Sequence, residues 1–317
     1  MKLNKIIKIL SIFVFIYVLI KIVDYEKLIY YAKETDMALI FFSVIMIFPL
    51  YLIKSLRFYL LLKEQGLKYS FKNVLMIYFS TNFIGFITPG RIGEFAKAVY
   101  LKQDIGITMA ESMPTVIIDR VFDLYFLFIW GLVGLAKLNI LGNFSNGLYI
   151  IIFLLLISPL AIYIPSFERS ISNIGVLKTN VKKFISTIIQ GVKKIINVRS
   201  VCIGFLLTIF AYASLFYQSS LIARSIGVEI NHIDISFIMA ITNVLTFLPI
   251  SFSGIGTRDL SIIYLFTIFD FDNNLALLYS SLILLVFNII GGTICFLFWL
   301  IKPIDIEKVK LFKTELN

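Results

Sequence analysis

Side chains that bind metals or carry out covalent chemistry are scarce in this chain. It has one histidine, His232, and two cysteines, Cys202 and Cys295. Each cysteine sits inside an apolar run, and no CxxC or Cys/His cluster exists, which argues against a metal site and against a disulfide framework. Both cysteines read as small apolar packing residues, and His232 as incidental in a connecting loop. Charge is thin as well. Charged residues make up 15% of the chain, against about a quarter in soluble domains. A P-loop, a nucleotide-binding loop and a DxD-bearing soluble domain are all missing from the sequence. No cofactor is expected, and any transport would be passive or ion-coupled.

Apolar residues are abundant: 59% of 317 residues, with a mean hydropathy of +0.94. The expectation is an all-α polytopic protein of the cell membrane. Lysine plus arginine number 29 against 19 acids, a net charge of +10. In a soluble protein that excess would suggest nucleic acid. Here it reads as basic cytoplasmic loops facing anionic headgroups. The 31 phenylalanines and 16 tyrosines read mainly as lipid-facing and interfacial packing.

Six runs are long enough to span: Ile6 to Val23, Met37 to Ile53 with helix continuing towards Leu62, Val116 to Leu135, Leu148 to Ile164, Val201 to Ala223, and Leu275 to Leu300. The first follows Lys2, Lys5 and Lys8 without an A-x-A cleavage site, so it reads as an uncleaved helix and not a signal peptide. Two further runs are interrupted. Val74 to Ile87 has 14 residues before Pro89-Gly90 and then resumes to about Leu101. Ile235 to Ile250 breaks at Pro249 and resumes over Leu260 to Phe269. A full span needs about 20 residues, so both read as re-entrant hairpins. Their texts echo one another weakly, from Thr81-Asn82 to Glu94 and from Thr242-Asn243 to Asp259. Interrupted hydrophobic segments in matching halves point to a transporter binding site.

Loop charge sets the expected topology. Segments 54–72, 165–200 and 302–317 are basic, whereas 24–36, 137–147, 224–234 and 270–274 are acidic or neutral. Six spans and two hairpins put every basic segment, and both termini, in the cytoplasm. The hairpins then enter from opposite faces. Residues of about 37–136 and 200–301 become an inverted-topology repeat inside a single membrane domain spanning 1–317. Within 165–200, apolar residues from Ile174 through Phe184 and Ile188 to Ile196 recur at helical spacing, opposite Lys182, Lys183, Lys193 and Lys194. That pattern fits an amphipathic helix on an anionic leaflet, or a solvated linker between spans.

The breaks carry the candidate site. Half-helices starting near Arg91 and Thr257 would point their N-termini into the membrane, where unpaired amides and the helix dipole favour an anion. Gly90, Gly93, Gly254 and Gly256 allow close backbone approach, Arg91 and Arg258 add bidentate phosphate donors, and Asn82 and Asn243 sit upstream in the matching positions. Asp119 and Asp123 lie one turn apart on one helix face, with Arg120 between them. Ionisable groups inside the membrane are costly and usually face a cavity or a partner. Two readings stay open for Arg91, Glu94, Asp119, Arg120, Asp123, Arg258 and Asp259: a nearly charge-balanced substrate pocket, or ion pairs that tie the hairpins to the third span. Arg57 and Lys97 are weaker candidates that fit the cytoplasmic interface equally well.

The run Pro89-Gly90-Arg91-Ile92-Gly93-Glu94, then Asp119-Arg120-x-x-Asp123, then Gly254-Ile255-Gly256-Thr257-Arg258-Asp259 resembles the flippase-like membrane region of bacterial lysylphosphatidylglycerol synthases. The resemblance covers nearly the whole chain. It departs at Asp119 and Asp259, where glutamate is common. It implies movement of an anionic phospholipid or lipid-linked headgroup between leaflets, with anionic membrane lipids as partners. The soluble lysyl-transferring domain of the full synthases is not expected in a sequence that runs to Asn317. Two other readings compete: a membrane-embedded lipid transferase, and a partner or regulatory subunit of a separate lipid-modifying or glycosyl-transferring enzyme. Transport by purified protein in liposomes separates the first reading from these.

Overall fold

The computed structural model describes residues 25–140, 147, 179–247 and 256–304. The expected spans Ile6 to Val23 and Leu148 to Ile164, the Pro249 break and Gly254 lie outside them. Every regular element among the described residues is helical, as the absence of period-two patterning requires.

In chain order, α1 covers Tyr25–Lys33. Helices α2 (Met37–Ile45) and α3 (Ile47–Gln65) run on through Met46 as one rod of 29 residues. Asp36 starts the rod by accepting from the Ala38 amide at 2.8 Å, and Gly66 ends it at a left-handed φ of 87°. Then comes α4 (Phe71–Phe86), a 3-10 turn over Pro89–Phe95, and α5 (Ala96–Ile105). Helix α6 (Met109–Lys137) has 29 residues and opens with a reciprocal Thr108–Glu111 capping box. After the undescribed segment follow α7 (Thr179–Ile195), α8 (Val198–Ser225) and α9 (His232–Phe247). Last come α10 (Thr257–Thr267), then α11 (Asn273–Ile283) joined through a π-helical turn at Leu284–Ile290 to α12 (Gly291–Ile301).

Three of the rods, Met37–Gln65, Val198–Ser225 and Asn273–Ile301, are long and apolar enough to cross a membrane. Helix α6 matches their length but carries Asp119, Arg120 and Asp123 in its interior. The outward surface is apolar: Phe41, Phe48, Leu52, Phe210 and Leu297 are exposed, whereas Lys97, Asp119 and Asp123 are buried. A protein that turns phenylalanine outward and carboxylates inward is organised for lipid, where each exposed polar group would go unsatisfied.

Chain direction follows from contacts at the rod ends. The Asp36 amide donates to the Ser225 carbonyl at 2.7 Å, and Asn197 donates to Glu64 at 2.9 Å. The α2–α3 rod and α8 are therefore antiparallel neighbours. The stretch α4–α5 folds back on itself: Lys97 sits 3.6 Å from the centre of the Tyr78 ring, and the Tyr69 hydroxyl donates to Asp104 at the mouth of the hairpin. Burial and the Asp104 carboxylate together hold the Tyr69 phenol well above its ordinary pKa, so it stays a neutral donor.

Helices α4 and α9 each pack on a long helix distant in the sequence. Helix α4 lies on α12 through Phe79 stacked on Phe298, with ring centres 4.4 Å apart, and Phe83 on Phe296 at 4.9 Å. Helix α9 lies on α6, where Trp130 Nε1 donates to Ser236 at 2.8 Å. Gly134 lets the two approach, since a Cβ there would sit 2.6 Å from the Phe237 Cβ.

The rods thus expose two ends. One carries Lys63, Lys68, Lys72, Lys102, Arg199 and Lys302, and α7 with Lys193 and Lys194 lies across it, its Gly191 against Pro114. The other carries Glu34, Asp36, Glu229, Asp234, Asp270 and Asp272, with Lys137 paired to Asp234 at 3.3 Å. In a Cys202→Ser background, cysteines at Lys68 and Asn231 should react with an impermeant maleimide from opposite sides of the membrane. Labelling of both from one side would contradict this arrangement.

Candidate functional site

The hairpin tip is shaped by its backbone. Gly90 and Arg91 are both left-handed, with φ of 60° and 55°. For arginine that conformation is uncommon and costs energy. Thr88 closes the tip. Its carbonyl accepts from the Arg91 amide at 3.2 Å, and its hydroxyl accepts from the Gly93 amide at 2.8 Å. Gly93 lies so close to α4 that an added Cβ would stand 2.4 Å from the Ile84 carbonyl oxygen. The turn amides at Arg91 and Gly93 are therefore taken by the chain itself.

Below the tip, carboxylates and cations interlock. Arg57 donates from Nη2 and Nε to Asp119 Oδ1 at 2.7 and 2.9 Å, and from Nη1 to Thr208 at 2.6 Å. The same Nη1 stands 2.9 Å from Asp123 Oδ1. That oxygen has no well-aligned hydrogen bond among the described residues, so this contact is one of charge. Lys54 reaches Asp123 Oδ2 at 2.9 Å, and Lys97 reaches Asp119 Oδ2 at 2.9 Å. Arg120 donates to Glu94 Oε1 at 2.6 Å and to the Arg91 carbonyl at 3.2 Å. Asp119 is wholly buried and Lys97 is 1% exposed.

Arg91 differs from the others. Its guanidinium lies 5.3 Å over the Phe86 ring, and among the described residues no carboxylate is paired with it. Ion pairs join Lys54, Arg57, Lys97 and Arg120 to Glu94, Asp119 and Asp123, and Arg91 adjoins them, its carbonyl accepting from Arg120. Among the described residues, five cations stand against three carboxylates, an excess of two positive charges.

The sequence-based grouping was nearly neutral because it included other members. The structure brings Arg91, Glu94, Asp119, Arg120 and Asp123 together, and Arg258 and Asp259 form an ion pair of their own. Arg258 Nη2 donates to Asp259 Oδ1 at 2.9 Å, and the Ser280 hydroxyl donates to the same oxygen. Asp259 Oδ2 accepts from the Gly256 amide at 2.9 Å, so the start of α10 holds its own carboxylate and not an open anion site. Among the described residues, no ion pair joins Arg258 or Asp259 to the cluster. Asn82 and Asn243 turn back to carbonyls of their own helices, Tyr78 at 2.8 Å and Met239 at 2.7 Å.

Lys54 was missed and Arg57 and Lys97 were undervalued, although a signal for them existed. Lys54 and Arg57 are three residues apart, hence on one face of α3. The helix continues to Gln65, which puts Lys54 roughly 17 Å from its end at 1.5 Å per residue, too deep for an interfacial charge.

Comparison with known proteins agrees with the motif resemblance. A family model described as "Lysylphosphatidylglycerol synthase TM region" matches residues 5–302. The chain is also similar to the UPF0104 membrane protein MJ1595 of Methanocaldococcus jannaschii, at 25% identity over 325 residues that cover 94% of this chain and 95% of that protein.

Proposed function

This chain belongs to the lysylphosphatidylglycerol synthase TM region family, and on that premise we propose that it moves an anionic phospholipid, or a related lipid-linked anion, between leaflets. The single observation that carries the reading is the unbalanced positive charge of the buried cluster. Uncompensated charge away from water is expensive, and an anionic headgroup supplies the missing counter-charge. Arg91 is the natural contact, being half-buried at the hairpin tip and in no ion pair among the described residues. Its planar fork suits a phosphate better than a lysine would.

The packing of the halves supports a route. Helices 37–65 and 198–225 run antiparallel, and each half wedges its hairpin arm against the other half's closing helix. We read this as an inverted-topology repeat with two re-entrant hairpins, in which one half rocks against the other and exposes the site to each leaflet in turn. The three carboxylates hold the remaining cations when no lipid is present, and offer positions where a proton or ion could couple. With the basic end placed in the cytoplasm, as loop charge directs, the first hairpin opens inward.

The test is transbilayer exchange of headgroup-labelled anionic phospholipid in reconstituted vesicles. Vesicles with protein should exchange faster than empty ones. Arg91→Gln should slow exchange roughly 10- to 100-fold, the equivalent of a charge-assisted hydrogen bond of about 1.5–3 kcal/mol. Arg91→Lys should fall between. Equal exchange in all samples, across several anionic lipids and with an imposed proton gradient, would favour the reading as a partner subunit of a lipid-modifying enzyme.

A further inference from the structure

A groove of about 420 Å³ runs beside the hairpin tip, lined by Phe83, Phe86 and Ile87 of the first hairpin and by Asn288, Gly292 and Phe296 of the closing rod. Three features single it out. Its wall includes the π-helical turn Leu284–Ile290, the kind of local widening found mostly at functional positions. It opens sideways, since Ile87 and Ile289 at its rim are 57% and 52% exposed on the lipid-facing surface. Its inner end is charged: Phe86 lines the groove and also lies under the Arg91 guanidinium at 5.3 Å.

We infer that this groove seats one acyl chain of an anionic phospholipid whose phosphate is held by Arg91. An apolar trough ending at a cation that makes no ion pair among the described residues matches a molecule with an anionic head and an apolar tail. A neutral lipid would fill the trough and leave Arg91 uncompensated. A free phosphate would meet Arg91 and leave the trough empty. The inference rests on the proposed function and adds to it the position of the tail: on the side of the first hairpin, against α12.

Trp299 reports on the groove, because its ring lies 5.7 Å from that of Phe83 and 5.8 Å from that of Phe296. Trp130→Phe leaves it as the single tryptophan of the two. This protein is placed in phosphatidylcholine membranes with rising fractions of phosphatidylglycerol brominated in mid-chain, and bromine quenching of Trp299 is followed. Brominated phosphatidylglycerol should half-quench at a several-fold lower mole fraction than brominated phosphatidylcholine. Arg91→Gln should abolish that difference. Gly292→Phe fills the trough and should bring quenching down to that of a simple lipid shell. Gly292→Ala should not, because its Cβ would lie at an ordinary 3.6 Å from Phe86. Thr293→Phe, at an exposed position on the same wall, fills the trough without disturbing the interior.

Equal quenching by the two lipids in the parent overturns the inference, as does a phosphatidylglycerol preference that survives both filling substitutions. A protein that exchanges anionic lipid but lacks the preference loses the acyl seat alone. One that keeps the preference but does not exchange loses the transport reading alone. Matching quenching by brominated free fatty acid would assign the groove to a carboxylate-headed lipid and overturn the phospholipid assignment.

Discussion

Asp119→Ala is expected to lower stability by about 3–5 kcal/mol, the range for stripping one partner from a buried ion pair. Asp119 is wholly buried and serves both Arg57 and Lys97. Its loss leaves two desolvated cations in a cluster that already carries excess positive charge. Deleting a surface charge such as Lys137, whose side chain is 52% exposed in its pair with Asp234, should change little, as exposed pairs contribute about 0–1 kcal/mol. Thermal unfolding in detergent, followed by monodispersity on a sizing column, measures the difference. A second arm separates charge from shape. Arg57→Met, Lys97→Met and Asp119→Leu combined should recover most of the loss, because apolar replacement of a buried ionic group is often neutral or better. A triple variant as unstable as the single one would mean that the hydrogen bonds of Arg57 to Thr208 and to the Asp119 carbonyl, and not ion pairing, hold this part of the fold together.

Gly93→Val should cost more in exchange than Arg91→Gln does, although it removes no charge. The first added carbon would stand 2.4 Å from the Ile84 carbonyl oxygen and 2.6 Å from its carbon. Both are backbone atoms that cannot swing aside. The hairpin tip would have to open, carrying Arg91 off Phe86 and Glu94 off Arg120. Overpacking of this kind costs about 1–3 kcal/mol, and exchange should fall to the level of empty vesicles. Gly106→Ala is the control. Gly106 also needs a left-handed backbone, at φ 71°, but nothing lies within 4 Å of an added Cβ. It should cost about 1–2 kcal/mol of stability and leave exchange unchanged. Equal losses from both substitutions would show that hairpin stability, and not the close tip, governs the exchange assay.

The spans among the described residues and the first break were legible because they rest on local rules. A run of apolar residues has nowhere to go but lipid, and Pro89-Gly90 ends a helix whatever surrounds it. The core of the charged cluster was legible in Arg91, Glu94, Asp119, Arg120 and Asp123 for the same reason, since each interrupts an otherwise apolar stretch. What escaped was long-range. Lys54 looks like the first of a row of basic interfacial residues until α3 is seen to continue to Gln65. Arg258 and Asp259 echo the first motif but find each other and Ser280. That choice depends on how α10 meets α11, and no spacing in the sequence encodes it. The half-helix starts look open to an anion in one dimension, yet Thr88 and Asp259 close them in three.

The exchange of hairpin arms between halves has a consequence for how the chain is made. Phe79 meets Tyr51 of the earlier α3 as well as Phe298, but Phe83 finds its ring partners, Phe296 and Trp299, on α12, whose last residue is Ile301. Synthesis proceeds at about 5–20 residues per second, so the first hairpin waits on the order of tens of seconds for the helix that covers it. Through that interval the face turned to α12 has lipid or the insertion machinery for company, while Lys97 and Glu94 can meet each other three residues apart before Asp119 arrives. The second hairpin suffers no such delay, because α6 is already in place when α9 emerges. A ribosome stalled before α12 would therefore leave the Phe83 face of the earlier hairpin as an exposed surface for quality control to recognise.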